Sequence, residues 1–206
     1  RTRKIRIMKK TPQEFRREEV KKLFEKVLGN QKTNLVPLSI TVSESLNDDF
    51  TTTDFSFEDR SSDGIVTVNN SKGKGFIDGL FIGLHRHYLN NFPSLKNIRL
   101  VDMIVNPLMK NNRGLGSEAK TDVIFRVEID GHGIAEFQNT SRSMIYSGFV
   151  ASLQAFQFYI NCEKTFDRIN FAVIDATSRN RGDILQSCLT DLSKLTEVNS
   201  YERKIT

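Results

Sequence analysis

The feature that most restricts the fold of this chain is an order of segments that occurs twice. Residues 36–43, 52–58 and 64–69 alternate apolar and polar side chains or are rich in β-branched ones, the pattern of strands. A break at Ser71-Lys72-Gly73-Lys74-Gly75 follows, and Ile77, Leu80, Phe81, Leu84 and Tyr88 then recur at helical spacing. The order starts again with strands predicted at 98–105, 121–129 and 133–137, punctuated by Gly114-Leu115-Gly116 and by an Asp130-Gly131 hairpin turn. Ile145, Phe149, Leu153, Phe156 and Ile160 supply a second helical stripe. Two successive β-β-β-α units therefore span residues 36–161, and an α+β class with helices packed on sheets is expected. Residues 168–176 are read as a further strand, and Ile184, Leu185, Cys188, Leu189 and Leu192 as a last helix.

Ahead of the repeat stands a basic amphipathic helix. Thr11-Pro12-Gln13-Glu14 joins a capping Thr to Pro at the first helical position and Glu three residues after the cap. Phe15, Val20, Leu23, Phe24, Val27 and Leu28 form its apolar stripe, and Gly29 can end it. The chain's formal charge of +5 is concentrated there: residues 1–30 carry eleven basic and four acidic side chains. That segment is thus +7 and the remainder −2. The basic residues lie mostly off the stripe, as on a solvated helix face. A nucleic-acid surface would add interleaved aromatics or a recognised fold, and neither is seen.

Other classes fall away on similar grounds. No apolar stretch reaches the roughly 20 residues that span a bilayer, and the charged start is not that of a secretory signal. Two cysteines, Cys162 and Cys188, are too few for a disulfide scaffold, so a reduced, cytoplasmic setting is expected. Residues two apart on a helix point about 200° apart, so His85 and His87 cannot share a metal. No nucleophile elbow and no Cys/His site appears, so no catalytic residue and no metal ligand is nominated.

The stretch Gly73-Lys74-Gly75-Phe76-Ile77-Asp78-Gly79 carries more information. It opens a helix directly after a strand, where free amides converge and the helix dipole favours an anion. Asp78 stands in the place of the third glycine of a dinucleotide fingerprint, and a P-loop would end in Gly-Lys-Ser/Thr. Amides and a first-turn carboxylate together suit a zwitterion, and a free amino acid is the simplest one. A plain Asp in a first turn is also helix-stabilising, and both readings stay open here.

These residues resemble the C-terminal regulatory and dimerisation domain of the 2-isopropylmalate synthase and citramalate synthase family. That family opens a helix with Gly-Asn-Gly-Pro-x-Asp-Ala, against Gly73 to Gly79 here. Its following strand has Leu-x-Asp-Tyr-x-Val, against Leu100-Val101-Asp102-Met103-Ile104-Val105. Its next begins Gly-Thr-x-Ala, against Gly116-Ser117-Glu118-Ala119, and its closing motif is echoed from Phe137 to Gly148. Lys74, Phe76 and Met103 depart from the family's Asn, Pro and Tyr, and its Gly-Val-Ser element is missing. The match covers roughly residues 36–162.

The resemblance implies a homodimeric sensor that binds leucine or isoleucine and inhibits a catalytic barrel of the same protein. That absent barrel would condense acetyl-CoA with a 2-oxo acid using a divalent metal; the chain itself would hold no cofactor and catalyse nothing. The amides of Gly73, Gly75 and Phe76 would take the carboxylate and Asp78 the ammonium. Ile77, Leu100, Met103, Ala119 and Thr121 would wall the aliphatic side chain, or serve simply as core. The expected division is a linker helix region (1–34), the regulatory domain (35–168) and a C-terminal extension of unassigned role (169–206). A ligand-free dimerisation module and a basic-arm nucleic-acid binder are the rival expectations.

Overall fold

Pro12 holds its own φ near the helical value and lacks the amide that a first turn leaves unpaired, so a helix can begin on it. In the computed structural model, which describes residues 12–45, 47–62, 64–108 and 120–201, helix α1 runs Pro12–Val27. Thr11, expected as its cap, lies outside the described residues, as does the 114–116 break. Gly29 follows in the left-handed region at φ 53° and turns the chain away.

The expected duplication is present. Strands β1 (Leu35–Glu44), β2 (Thr51–Asp59) and β3 (Gly64–Gly73) are followed by α2 (Phe76–Tyr88). Strands β4 (Ile98–Leu108), β5 (Lys120–Ile129) and β6 (Gly133–Ser141) are followed by α3 (Met144–Ser178), and α4 (Gly182–Thr196) closes the order. Each trio forms its own antiparallel sheet in sequence order. The repeat extends to irregularities. In the first sheet the register shifts between Pro37, opposite Phe57, and Ser39, opposite Ser56. In the second it shifts between Leu100, opposite Val127, and Asp102, opposite Arg126. Each shift leaves one apolar residue, Leu38 or Val101, out of the ladder and about half exposed.

Helices α2 and α3 lie between the two sheets. Phe149 of α3 meets Phe55 of β2 edge-on at 5.5 Å. Phe81 of α2 stands 6.4 Å from Phe125 of β5 and 5.4 Å from Phe156 of α3. Phe55, Phe57, Phe125 and Phe149 are all at most 2% exposed, and each such burial stabilises the fold by roughly 1.5–3 kcal/mol. The outward faces carry ion pairs, as on a half-solvated sheet: Arg126 pairs with Glu136 at 2.6 Å and Arg99 with Glu128 at 3.2 Å.

Two expectations are revised. Residues 168–176 are not a strand but the continuation of α3. Their β-branched and aromatic content suggested a strand, yet no Gly or Pro interrupts the helix, and Ile169, Ala172 and Ala176 fall at helical spacing on one face. The boundary expected at 168 therefore cuts through a continuous helix. Nor is α1 a separate linker. Val20, Leu23, Phe24 and Leu28 belong to the same buried core as the sheets, and Phe24 packs on Phe158 of α3 with ring centroids 5.5 Å apart. Polar side chains of α3 also hold the start of β1. Asn161 accepts from the Thr33 amide (2.8 Å) and donates to the Thr33 carbonyl (3.0 Å), and Gln157 accepts from the Leu35 amide (2.9 Å).

The seating of α2 on its sheet depends on small residues. A Cβ on Gly79 would come 2.7 Å from Thr53 Oγ1, and one on Gly83 would come 2.8 Å from the Phe55 ring. Gly83→Ala should lower stability by about 1–3 kcal/mol through overpacking, measured by urea denaturation. Gly182→Ala, where an added Cβ meets nothing within 4 Å, should stay within about 0.5 kcal/mol of the parent chain.

Candidate functional site

The glycine-rich stretch forms the junction between β3 and α2. Gly73 ends the strand, opposite Thr51. A Cβ there would overlap the backbone of Asp78 and Gly79, at 2.7 Å and 2.3 Å, so only glycine lets the chain fold back this closely. Gly75 is the cap residue, in extended conformation at φ −165° and with no side chain to satisfy the first turn. Asp78, in the first turn, does not cap the amides of that turn. Its Oδ2 accepts the backbone N–H of Lys74, one residue before the cap, at 2.9 Å and so pins the turn that enters the helix. Asp78 is half-buried, while Ile77 is only 5% exposed.

The starts of α2 and α3 meet. A Cβ on Gly148 would lie 2.7 Å from Ile77 Cδ1 and 3.1 Å from Phe76 Cε2, so these two side chains rest directly on the second turn of α3. The first turn of α3 is capped by Ser143, whose Oγ accepts the Tyr146 amide at 3.1 Å. Ser141 and Ser147 share a hydroxyl hydrogen bond of 2.7 Å beneath it. Thr121 belongs to the same end, since it pairs with Ser141 and with Pro107.

The expected pocket residues are therefore only partly brought together. Gly73, Gly75, Phe76, Ile77 and Asp78 form one junction, with Thr121 at the same end of the second sheet. Met103 sits mid-strand opposite Phe125, and Leu100 lies further along, opposite Val127. Both are partly buried against the core. Their counterparts in the first repeat are Ile40 opposite Phe55 and Pro37 opposite Phe57, so their first role is packing. Ala119 lies outside the described residues.

The two histidines of α2 diverge as expected. His85 Nε2 lies 3.2 Å from the Leu95 carbonyl oxygen, and His87 meets the Phe57 and Tyr88 rings edge-on. Burial lowers the pKa of His87 below its ordinary value. Burial also pushes the Cys162 thiol well above its usual range, which keeps it protonated and unreactive. Among the described residues no group of three or more His, Cys, Asp or Glu side chains is placed to hold a metal ion, and no helix is long and apolar enough to cross a membrane.

One sequence signal went unused. Gly75, Gly79 and Gly83 recur every fourth residue, and the last two mark the face on which α2 approaches its sheet. No protein-family model matches the chain, and no curated protein matches it.

Asp78→Ala removes both the acceptor of the Lys74 amide and the acidic group in the first turn of α2, and should cost about 1 kcal/mol of stability. Asp78→Asn keeps an acceptor oxygen for the Lys74 amide and should melt close to the parent chain. Thermal unfolding followed by circular dichroism compares the two.

Proposed function

We propose that this chain is the effector-binding and dimerisation domain of an enzyme of the 2-isopropylmalate synthase and citramalate synthase kind. It would work in the cytoplasm and bind leucine or isoleucine as feedback inhibitor. The observation that carries the reading is the duplicated β-β-β-α layout with the Gly73–Asp78 junction at the start of its first helix. The layout supports the resemblance at the level of element order, and the junction supports a zwitterionic ligand. The first-turn amides of α2 would meet the carboxylate. Asp78 spends Oδ2 on the Lys74 amide, and Oδ1 would take the ammonium group. Ile77 and Phe76 would form the apolar wall. Leucine and isoleucine differ only in branch point, a discrimination worth roughly 1–3 kcal/mol.

Inhibition would follow from linkage. An effector that favours one arrangement of the dimer shifts the equilibrium by its differential affinity, typically about 1–3 kcal/mol. The chain would then catalyse nothing itself, and the acyl transfer and its divalent metal would belong to a barrel in the same polypeptide. A second reading, a dimerisation module without ligand, is favoured by one observation: the Asp78 carboxylate is already engaged by its own backbone.

Isothermal titration calorimetry separates the two. On the sensor reading the dimeric chain binds leucine or isoleucine. Asp78→Asn, which keeps an acceptor for the Lys74 amide and loses the charge, should bind at least about tenfold more weakly, the worth of one charge-assisted contact. A dimer that gives no heat with either amino acid belongs to the second reading.

A further inference from the structure

A cleft lies towards the far end of α3 from the junction, where the C-terminal end of α1, the later turns of α3 and α4 meet. Its volume is about 360 Å³, within the range of small-molecule sites, roughly 300–1,000 Å³. Val27, Ile169, Ala172, Ile184 and Cys188 give it an apolar floor. Four charged side chains edge it, and they are not equivalent. Asp191 is matched by two cations, Lys26 at 2.7 Å and Lys194 at 3.3 Å. Asp183 is matched by Arg181 at 3.4 Å. Arg168 has no carboxylate partner among the described residues: its Nη1 donates to the Val27 carbonyl at 3.0 Å, and the residue lines the cleft while remaining exposed.

An apolar trough beside one unmatched guanidinium suits an amphiphile with an anionic head. We propose that this cleft binds a short-chain aliphatic carboxylate, its head on Arg168 and its chain over Ile169, Ala172 and Ile184. A guanidinium presents several N–H donors in a planar fork, a geometry that fits a carboxylate. An aliphatic amine would lack such a match, because the two carboxylates of the cleft already hold cations. The site is separate from the β3–α2 junction, and the proposal stands whether or not that junction binds an amino acid.

The test uses the full chain labelled with ¹⁵N and titrated with hexanoate, with hexylamine as the charge-reversed control. The expected result is saturable movement of amide signals at Ile169, Ala172, Ile184 and Cys188 with hexanoate and none with hexylamine. Arg168→Gln should weaken hexanoate about tenfold, the loss of one charge-assisted hydrogen bond, and Arg168→Lys should recover part of it. Because Arg168 also ties α3 to α1, a readout on the unaltered chain stands beside the variants: hexanoate should slow alkylation of Cys188 by iodoacetamide. Equal response to hexylamine, undiminished affinity in a folded Arg168→Gln, or no saturable shift with unchanged alkylation would each overturn the proposal.

Discussion

Two three-stranded sheets that share one layer of helices between them require those helices to be apolar on two sides. That requirement governs the rest of this structure. Helix α3 meets it most fully: Phe149 reaches the first sheet while Phe158 and Tyr159 pack on Phe137 of the second. A helix so placed has little solvated surface in its first half, and its few polar residues there must find partners inside. Asn161 and Gln157 find them in the backbone before and at the start of β1. The length of α3 has a consequence as well. Its later turns extend beyond the sheets, and α1 and α4 cover part of them.

The same constraint explains why the two helix starts meet. Both helices cross the same sandwich in the same sense, so their N-terminal ends lie together, and Gly148 lets Phe76 and Ile77 rest on α3. The first turns of both helices are thereby gathered at one end, with the α3 turn capped by Ser143 and the α2 turn free of a side-chain cap. The first unit has a bare glycine cap and a carboxylate in the turn; the second has a serine cap and Tyr146 at the equivalent place. The two units thus share an order of elements and differ in chemistry at this equivalent place. From Gly148 to Ile169 the helix runs about 30 Å, so the junction and the α1–α3–α4 cleft are well separated.

Much of the layout was legible because periodicity and turn residues agreed. The alternation of β2 and the Asp130-Gly131 turn left little freedom, and the order of both units followed. Residues 168–176 were misread because β-branched content was weighed without asking what would stop the helix before them. The role of α1 was hidden for another reason. Its stripe was plain, but nothing local says that Phe24 will meet Phe158 far along the chain. At the candidate site, Asp78 was legible as a first-turn acid, and its bond to the Lys74 amide is the local outcome that spacing allows. Leu100 and Met103 were assigned by likeness, and only the register shows them at the ladder positions of Pro37 and Ile40.

On the proposed sensor reading, an amino acid is held where the two helices begin. The most direct measurement maps amide chemical shifts on the ¹⁵N-labelled chain as leucine or isoleucine is added. The expected result is saturable movement centred on Gly73–Asp78 with a second group at Ser143–Gly148. Signals that do not move there, while the same sample is dimeric and folded, would contradict it.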